Sequence, residues 1–109
     1  MKNIEKWKEK YPIGSIIKHN CCNLMYEIID YKYEKGHKNY YGVLCENFVI
    51  VKNLYYPKER IGVKYCFYID YLREFKISSK DYLNEIIELR NLKEYEESKI
   101  EKYEQLRLF

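Results

Sequence analysis

Ile61-Gly62-Val63-Lys64-Tyr65-Cys66-Phe67-Tyr68-Ile69-Asp70-Tyr71 is the most regular stretch of this chain. Its odd positions hold Ile, Val, Tyr, Phe, Ile and Tyr, and its even positions hold Gly, Lys, Cys, Tyr and Asp. Side chains of a strand point alternately to opposite faces, so the alternation predicts a strand over residues 61–71 with the odd residues on the core. A sheet with one buried face follows, and the flanking sequence can be read for the strands that complete it.

Residues 40–52 predict a preceding strand, bent or bulged at Glu46-Asn47, and residues 24–33 are rich in β-forming side chains and predict another. Between them the polar segment Glu34-Lys35-Gly36-His37-Lys38-Asn39 reads as a hairpin loop in which Gly36 is able to take positive φ. Residues 53–60, with Tyr55, Tyr56 and Pro57, read as a second loop. A first strand enters at Pro12-Ile13-Gly14-Ser15-Ile16-Ile17-Lys18, and residues 72–77 accommodate a short last one. Residues 3–10 predict a short helix with Asn3 as N-cap and Ile4, Trp7 and Tyr11 at helical spacing; Pro12 stops it, because the residue before a proline is pushed out of the α region. Trp7 reads either as a binding residue or as an anchor into the core, and a lone Trp on an amphipathic turn favours the anchor.

The C-terminal part is different in kind. Ser78 with Asp81 fits a capping box, Ser79 is the alternative cap, and no Gly or Pro follows as far as Arg107. Tyr82, Leu83, Ile86, Ile87, Leu89 and Leu92 make an apolar stripe that thins to Tyr95, Ile100, Tyr103 and Leu106 among Glu and Lys. A helix over residues 79–106 would be roughly 40 Å long at ~1.5 Å per residue, so its first half is expected on the sheet and its second half to project. The expected fold is α+β: one domain over residues 1–109, with a helical turn at 3–11, a small, strongly bent antiparallel sheet at 12–77 and a long helix at 78–107.

Charge and composition narrow the function classes. Residues 1–77 carry 14 basic and 9 acidic side chains, and residues 78–109 carry 6 and 8. A mildly basic body with a mildly acidic tail lacks the concentrated basic patch of a dedicated DNA binder. The chain has 14 Tyr, 16 Lys and 13 Ile but no Ala or Thr, the residue set that A/T-rich codons specify. That points to a low-GC bacterium or its phage, and it discounts Tyr and Lys abundance as evidence of function. No apolar stretch is long enough to span a bilayer, and residues 1–10 lack the apolar centre of a signal peptide, so a cytoplasmic location is expected.

Chemistry-bearing motifs are few. Cys21, Cys22, Cys45 and Cys66 have no Cys-x-x-Cys spacing, and they are expected as buried, reduced thiols without metal. His19 beside Cys21 and Cys22 lacks a third orienting group for a thiol nucleophile. No phosphate-binding glycine loop is present, and neither a catalytic residue nor a cofactor is expected.

Binding chemistry has two candidates. One is an aromatic–basic group, Tyr31, Tyr33, Lys35, His37, Lys38, Tyr40 and Tyr41, with Tyr55, Tyr56, Lys58 and Arg60 on the other loop. Such a mixture suits a protein interface, where Tyr gives large area at low entropic cost, or single-stranded nucleic acid, held by stacking and phosphate neutralisation. The structural alternative is that several of these tyrosines are core residues with a wet hydroxyl. The other candidate is the distal helix surface Tyr95, Ile100, Tyr103 and Leu106, suited to a homodimer or a docking partner.

The order Gly14-Ser15-Ile16-Ile17-Lys18, a long hairpin and then a regular strand resembles, over residues 12–77, the SH3-like barrels of small phage and mobile-element proteins. In size, composition and lack of catalytic apparatus the chain is also similar to anti-CRISPR-like inhibitors. The resemblance implies a non-enzymatic protein that binds a host defence protein or ribonucleoprotein by occlusion. The runner-up is a single-stranded RNA or DNA binder, and a small enzyme of another type comes third.

Overall fold

A computed structural model describes residues 4–107 of the chain, and side chains as far as Lys99. It is α+β. A short helix α1 (Ile4–Lys10) leads into five strands, β1 (Ile16–His19), β2 (Met25–Tyr33), β3 (Asn47–Asn53), β4 (Lys64–Tyr68) and β5 (Phe75–Ser78), and a long helix α2 (Lys80–Arg107) follows. The proposed N-cap Asn3 lies outside the described residues. No helix among the described residues is long and apolar enough to cross a membrane.

All strand pairs are antiparallel, in the order β4-β3-β2-β1-β5. The sheet is open: β4 and β5 are its two edges and do not pair with each other, so closure into the expected SH3-like barrel is not seen. It is nevertheless bent hard. In a flat sheet the outer strands would lie about 19 Å apart, at ~4.8 Å per strand. Yet Phe67 of β4 and Phe75 of β5 both touch Tyr26, at centroid distances of 5.6 and 5.7 Å, and both touch Tyr71, at 5.0 and 4.9 Å.

The core lies on this concave face. It unites Ile4 and Tyr11 with Ile17, Tyr26, Ile28, Tyr31, Val49, Val51, Ile69, Leu72 and Phe75. In β2 the inward set is Tyr26 and Ile28 before a bulge at residues 28–30, and Tyr31 after it. The extra residue shifts the phase by one, which is what a β-bulge does to a period of two. Tyr31, expected as part of a binding surface, is therefore a core residue; its hydroxyl donates to the Tyr11 carbonyl at 2.6 Å, and the Tyr11 hydroxyl donates to the Phe75 carbonyl at 2.9 Å.

The stretch 61–71 is corrected at both ends. Only Lys64–Tyr68 is a strand, and within it Tyr65 and Phe67 are half-buried while Lys64, Cys66 and Tyr68 are exposed. Gly62, at φ 89°, sits in a turn whose amide donates to the Asn53 carbonyl, so Ile61 and Val63 are exposed rather than core. That φ is the left-handed region, which breaks a strand and favours glycine. At the other end Ile69–Glu74 winds into a 3-10 helix, which buries Ile69 and Leu72 at its period of three. The strand expected over residues 40–52 also shortens, because residues 40–46 belong to the loop and β3 begins at Asn47.

The second compact unit, residues 80–109, is helical from Lys80 to Arg107, about 42 Å at ~1.5 Å per residue. Ser78 ends β5 and Ser79 stands immediately before the helix, so Ser79 occupies the position expected of the cap. Leu89, Leu92 and Tyr95 are exposed, so the stripe read through Leu92 is not buried along its length.

The buried tyrosines give the fold a pH dependence. Loss of hydration pushes the Tyr26 and Tyr31 hydroxyls up to about 12, with neighbouring phenols (Tyr71 and Tyr65 for Tyr26, Tyr11 for Tyr31) adding to it. An unfolded tyrosine ionises near 10, so between pH ~10 and ~12 unfolding releases protons and stability falls as pH rises. Below pH ~10 the contribution is complete. Denaturant midpoints measured across this window should decline, and a Tyr26→Phe/Tyr31→Phe variant should decline less. A phenolate absorbance titration of the native protein that is complete by pH ~10 would contradict the burial.

Candidate functional site

The loop between β2 and β3, residues 34–46, is a small hairpin in its own right. Its rungs are Cys45 N–H to the His37 carbonyl at 2.8 Å and Asn39 N–H to the Val43 carbonyl at 2.8 Å, with Lys38 bridged to Leu44. Asn39 shapes the tip: its Oδ1 accepts the amides of Tyr41 and Val43, and its carbonyl accepts the amide of Gly42 at 3.0 Å. Asn at the first and Gly at the fourth position of Asn39-Tyr40-Tyr41-Gly42 is a type I turn signature.

Glu46 fastens the base. Its Oε2 accepts the Gly36 amide at 2.7 Å and the Tyr33 hydroxyl at 3.3 Å, and its carbonyl accepts the Glu34 amide at 2.8 Å. The Gly36 amide holds the Glu46 carboxyl below the ordinary carboxylate range, against partial desolvation; the Tyr33 hydroxyl is raised by desolvation and by that carboxylate. His37 pins the loop to the convex face of the sheet. Its ring sits edge-on to Phe48 at 4.9 Å and against Tyr68 at 5.8 Å, and Nδ1–H donates to the Cys45 carbonyl at 3.2 Å.

What this framework presents is apolar. Tyr40 is 96% and Tyr41 84% exposed, their rings perpendicular at 5.5 Å, and Val43 and Leu44 beside them are more than half exposed. Lys35 and Lys38 flank them in solvent. Side chains of this kind are normally buried, and holding four of them outward on a hydrogen-bonded loop leaves an exposed apolar patch at the tip. Val43 and Leu44 escape sequence reasoning because a Tyr-Tyr-Gly-Val-Leu run has the composition of a strand; the Asn-x-x-Gly turn signal is the clue that marks them as a tip.

The second loop lies elsewhere. Residues 34–46 precede β3 and residues 54–63 follow it, so the seven residues of β3 separate the two loops by about 20 Å. Tyr33, Lys35, His37, Lys38 and Tyr40 thus gather at one end of the sheet, and Tyr55, Tyr56, Lys58 and Arg60 at the other. At that far end Tyr55 is half-buried, Lys58 and Arg60 are exposed on a 3-10 turn (Lys58–Arg60), and Tyr56 is 62% exposed beside Pro57. The aromatic–basic group is two surfaces.

Of the distal helix residues, Tyr95 is exposed, and Ile100, Tyr103 and Leu106 lie outside the residues whose side chains are described. Trp7 is half-buried, stacked on Tyr11 at 6.1 Å and with the Arg73 guanidinium 5.8 Å from its ring, as an anchor against the core.

The cysteines depart from expectation. All four are free thiols, but Cys21, Cys22 and Cys66 are exposed and Cys45 is half-buried. Cys21 sits next to His19 through its backbone: the Cys21 amide donates to His19 Nδ1 at 3.0 Å, so that nitrogen is occupied and does not face the thiol as a base. Among the described residues no three His, Cys, Asp or Glu side chains gather to hold a metal ion. The sequence matches no family model, and no curated protein or solved structure is detectably similar to it.

Proposed function

We propose that this protein is a non-enzymatic interaction module whose principal docking element is the tip of loop 34–46. In this reading it serves a phage or mobile element as an inhibitor in the cytoplasm of a bacterial host. The bent, SH3-like sheet holds the loop, and Tyr40 and Tyr41 enter a pocket on a defence protein or ribonucleoprotein and block it by occlusion. One observation carries the reading: two adjacent tyrosines stand almost wholly in solvent on a loop held by side-chain and backbone hydrogen bonds. An ordered aromatic tip loses little freedom on binding, and aromatic residues dominate interface energetics.

Replacing Tyr40 and Tyr41 together by Ala removes exposed area only. The melting temperature should stay within a few degrees, while affinity for the captured partner should fall at least a hundredfold, ~2.7 kcal/mol or more. Affinity capture from a low-GC bacterial lysate, run with intact and variant protein side by side, reads the difference. A partner held equally well by both sinks the assignment of the tip.

The second reading, single-stranded nucleic acid, is favoured by Lys35 and Lys38 beside the tip and by Lys58, Arg60 and Tyr56 at the far end of β3. Fluorescence anisotropy of labelled single-stranded oligonucleotides separates the two. Binding that weakens steeply between low and physiological salt belongs to phosphate contacts; an interface built on Tyr40 and Tyr41 depends little on salt.

A further inference from the structure

We propose that β4 is a homodimerisation edge, pairing antiparallel with β4 of a second copy of this chain about a two-fold axis at Cys66. The argument begins with hydrogen-bond phase. Asn53 receives the Gly62 amide on its carbonyl and gives its own amide to the Val63 carbonyl, so the backbone groups of Asn53 point toward β4. Peptide groups alternate sides along a strand, so Val51 and Val49 also face β4 and bond to their register partners Tyr65 and Phe67. The amides and carbonyls of Lys64, Cys66 and Tyr68 therefore point away from β3, along an edge that no other strand covers among the described residues.

The other edge is not equivalent. Asn20 donates to the Glu74 carbonyl, which puts Glu74 in phase with β1 and turns the peptide groups of Phe75 outward. The Phe75 carbonyl is taken by the Tyr11 hydroxyl at 2.9 Å, so β5 is blocked at that point. An uncovered edge is a template for another strand unless charge, proline or a bulge defends it. On β4 the only charged side chain is Lys64.

The sequence of β4 is complementary to itself in one register. With Cys66 opposite Cys66 of the second copy, Lys64 faces Tyr68 and Tyr65 faces Phe67. The outward groups of all three even residues then meet their partners in hydrogen-bonded pairs. Tyr65 and Phe67 fall in the non-hydrogen-bonded pairs, where side chains approach most closely, and both are half-buried rings with area left to cover. No like charges oppose, and each lysine lies beside a tyrosine ring. Ile61, Val63 and Tyr68, all exposed beside the same edge, add apolar surface. Five residues are a short seam, which makes the dimer reversible.

Sedimentation equilibrium of the full chain under reducing conditions should show dimer at high concentration and monomer on dilution. Cys66→Pro deletes an amide that points away from β3, so circular dichroism and melting should be retained while the dimer weakens at least tenfold. Cys66→Arg sets two like charges on the axis without touching the backbone; it should have the same effect, and it decides the matter if the proline variant misfolds. A chain that keeps Cys66 alone, with Cys21, Cys22 and Cys45 changed to Ser, should be cross-linked to dimer by a short bis-maleimide. A chain that is monomeric at every concentration overturns the proposal. So does a dimer indifferent to both Cys66 variants, which would place the contact elsewhere, for instance on the C-terminal helix.

Discussion

Tyr26→Ala should cost about 4 kcal/mol and lower the melting temperature by roughly 20 °C. Tyr26 is 6% exposed, and its ring meets Tyr65 at 6.1 Å, Phe67 at 5.6 Å and Phe75 at 5.7 Å. Tyr65 and Phe67 belong to one edge strand and Phe75 to the other, so the ring links the margins of the bent sheet. Removing it opens a cavity against Ile17 and Asn53, its register neighbours on either side, and loses edge-to-face contacts worth about 0.5–1.5 kcal/mol each. Phe67→Ala, at a half-buried ring on the margin, should cost about half as much; Tyr26→Phe, which keeps every ring contact, should cost least. Chemical denaturation of the three variants tests the order. If Phe67→Ala proved the most damaging, the centre of the core would be misplaced.

Much of this centre was legible from residues 61–71, but only where the alternation had one physical cause. Tyr65 and Phe67 turn inward and Lys64, Cys66 and Tyr68 outward, as a period of two requires. Ile61 and Val63 keep the same rhythm by coincidence. Gly62 takes a left-handed φ that no periodicity reveals, and the chain leaves the strand there. Ile69 is buried as expected, yet as part of a 3-10 turn: Ile69-Asp70-Tyr71 continues the alternation, while Ile69 and Leu72 stand three apart. In β2 the reverse happened: a real strand hid its alternation, because the bulge after Ile28 moves the inward side chains from even to odd numbers.

The candidate site was harder to read, for a reason of geometry. Tyr55, Tyr56, Lys58 and Arg60 resemble Tyr33, Lys35, Lys38 and Tyr40 in composition, and composition carries no distance. Only the register of β3 shows that the two sets lie at opposite ends of one strand. Within the first set the chemistry divides again. His37 and Tyr33 serve the loop's own structure, through Phe48, Tyr68 and Glu46, whereas Tyr40 stands in solvent against the Tyr41 ring of the same tip. Sequence alone ranks a histidine beside two lysines as the more chemical residue; the packing reverses that order.

Asn53→Leu should cost about 3 kcal/mol although it replaces a buried polar side chain by an apolar one of similar size. Asn53 is 0% exposed and ends β3, and its side chain organises the whole turn that follows. Nδ2–H donates to the Arg60 carbonyl at 3.1 Å and to the Pro57 carbonyl at 3.4 Å, while Oδ1 accepts the Tyr55 amide at 3.3 Å. Leucine fills the space but removes three hydrogen bonds, two of them to carbonyls that also accept the Arg60 and Val63 amides, and each such loss costs about 1 kcal/mol. The damage should be local before it is global, with amide hydrogen exchange across residues 54–63 accelerating more than in β2. Asn53→Asp sharpens the test. It keeps an acceptor for the Tyr55 amide but sets a carboxylate against two carbonyl oxygens, so burial and repulsion raise its folded pKa. Relative to the native protein, its deficit should be largest at neutral pH and shrink in acid, where the protonated acid can again donate to a carbonyl. If Asn53→Leu melts with the native protein and exchange in 54–63 is unchanged, the turn is held by its backbone bonds alone and the side chain is dispensable.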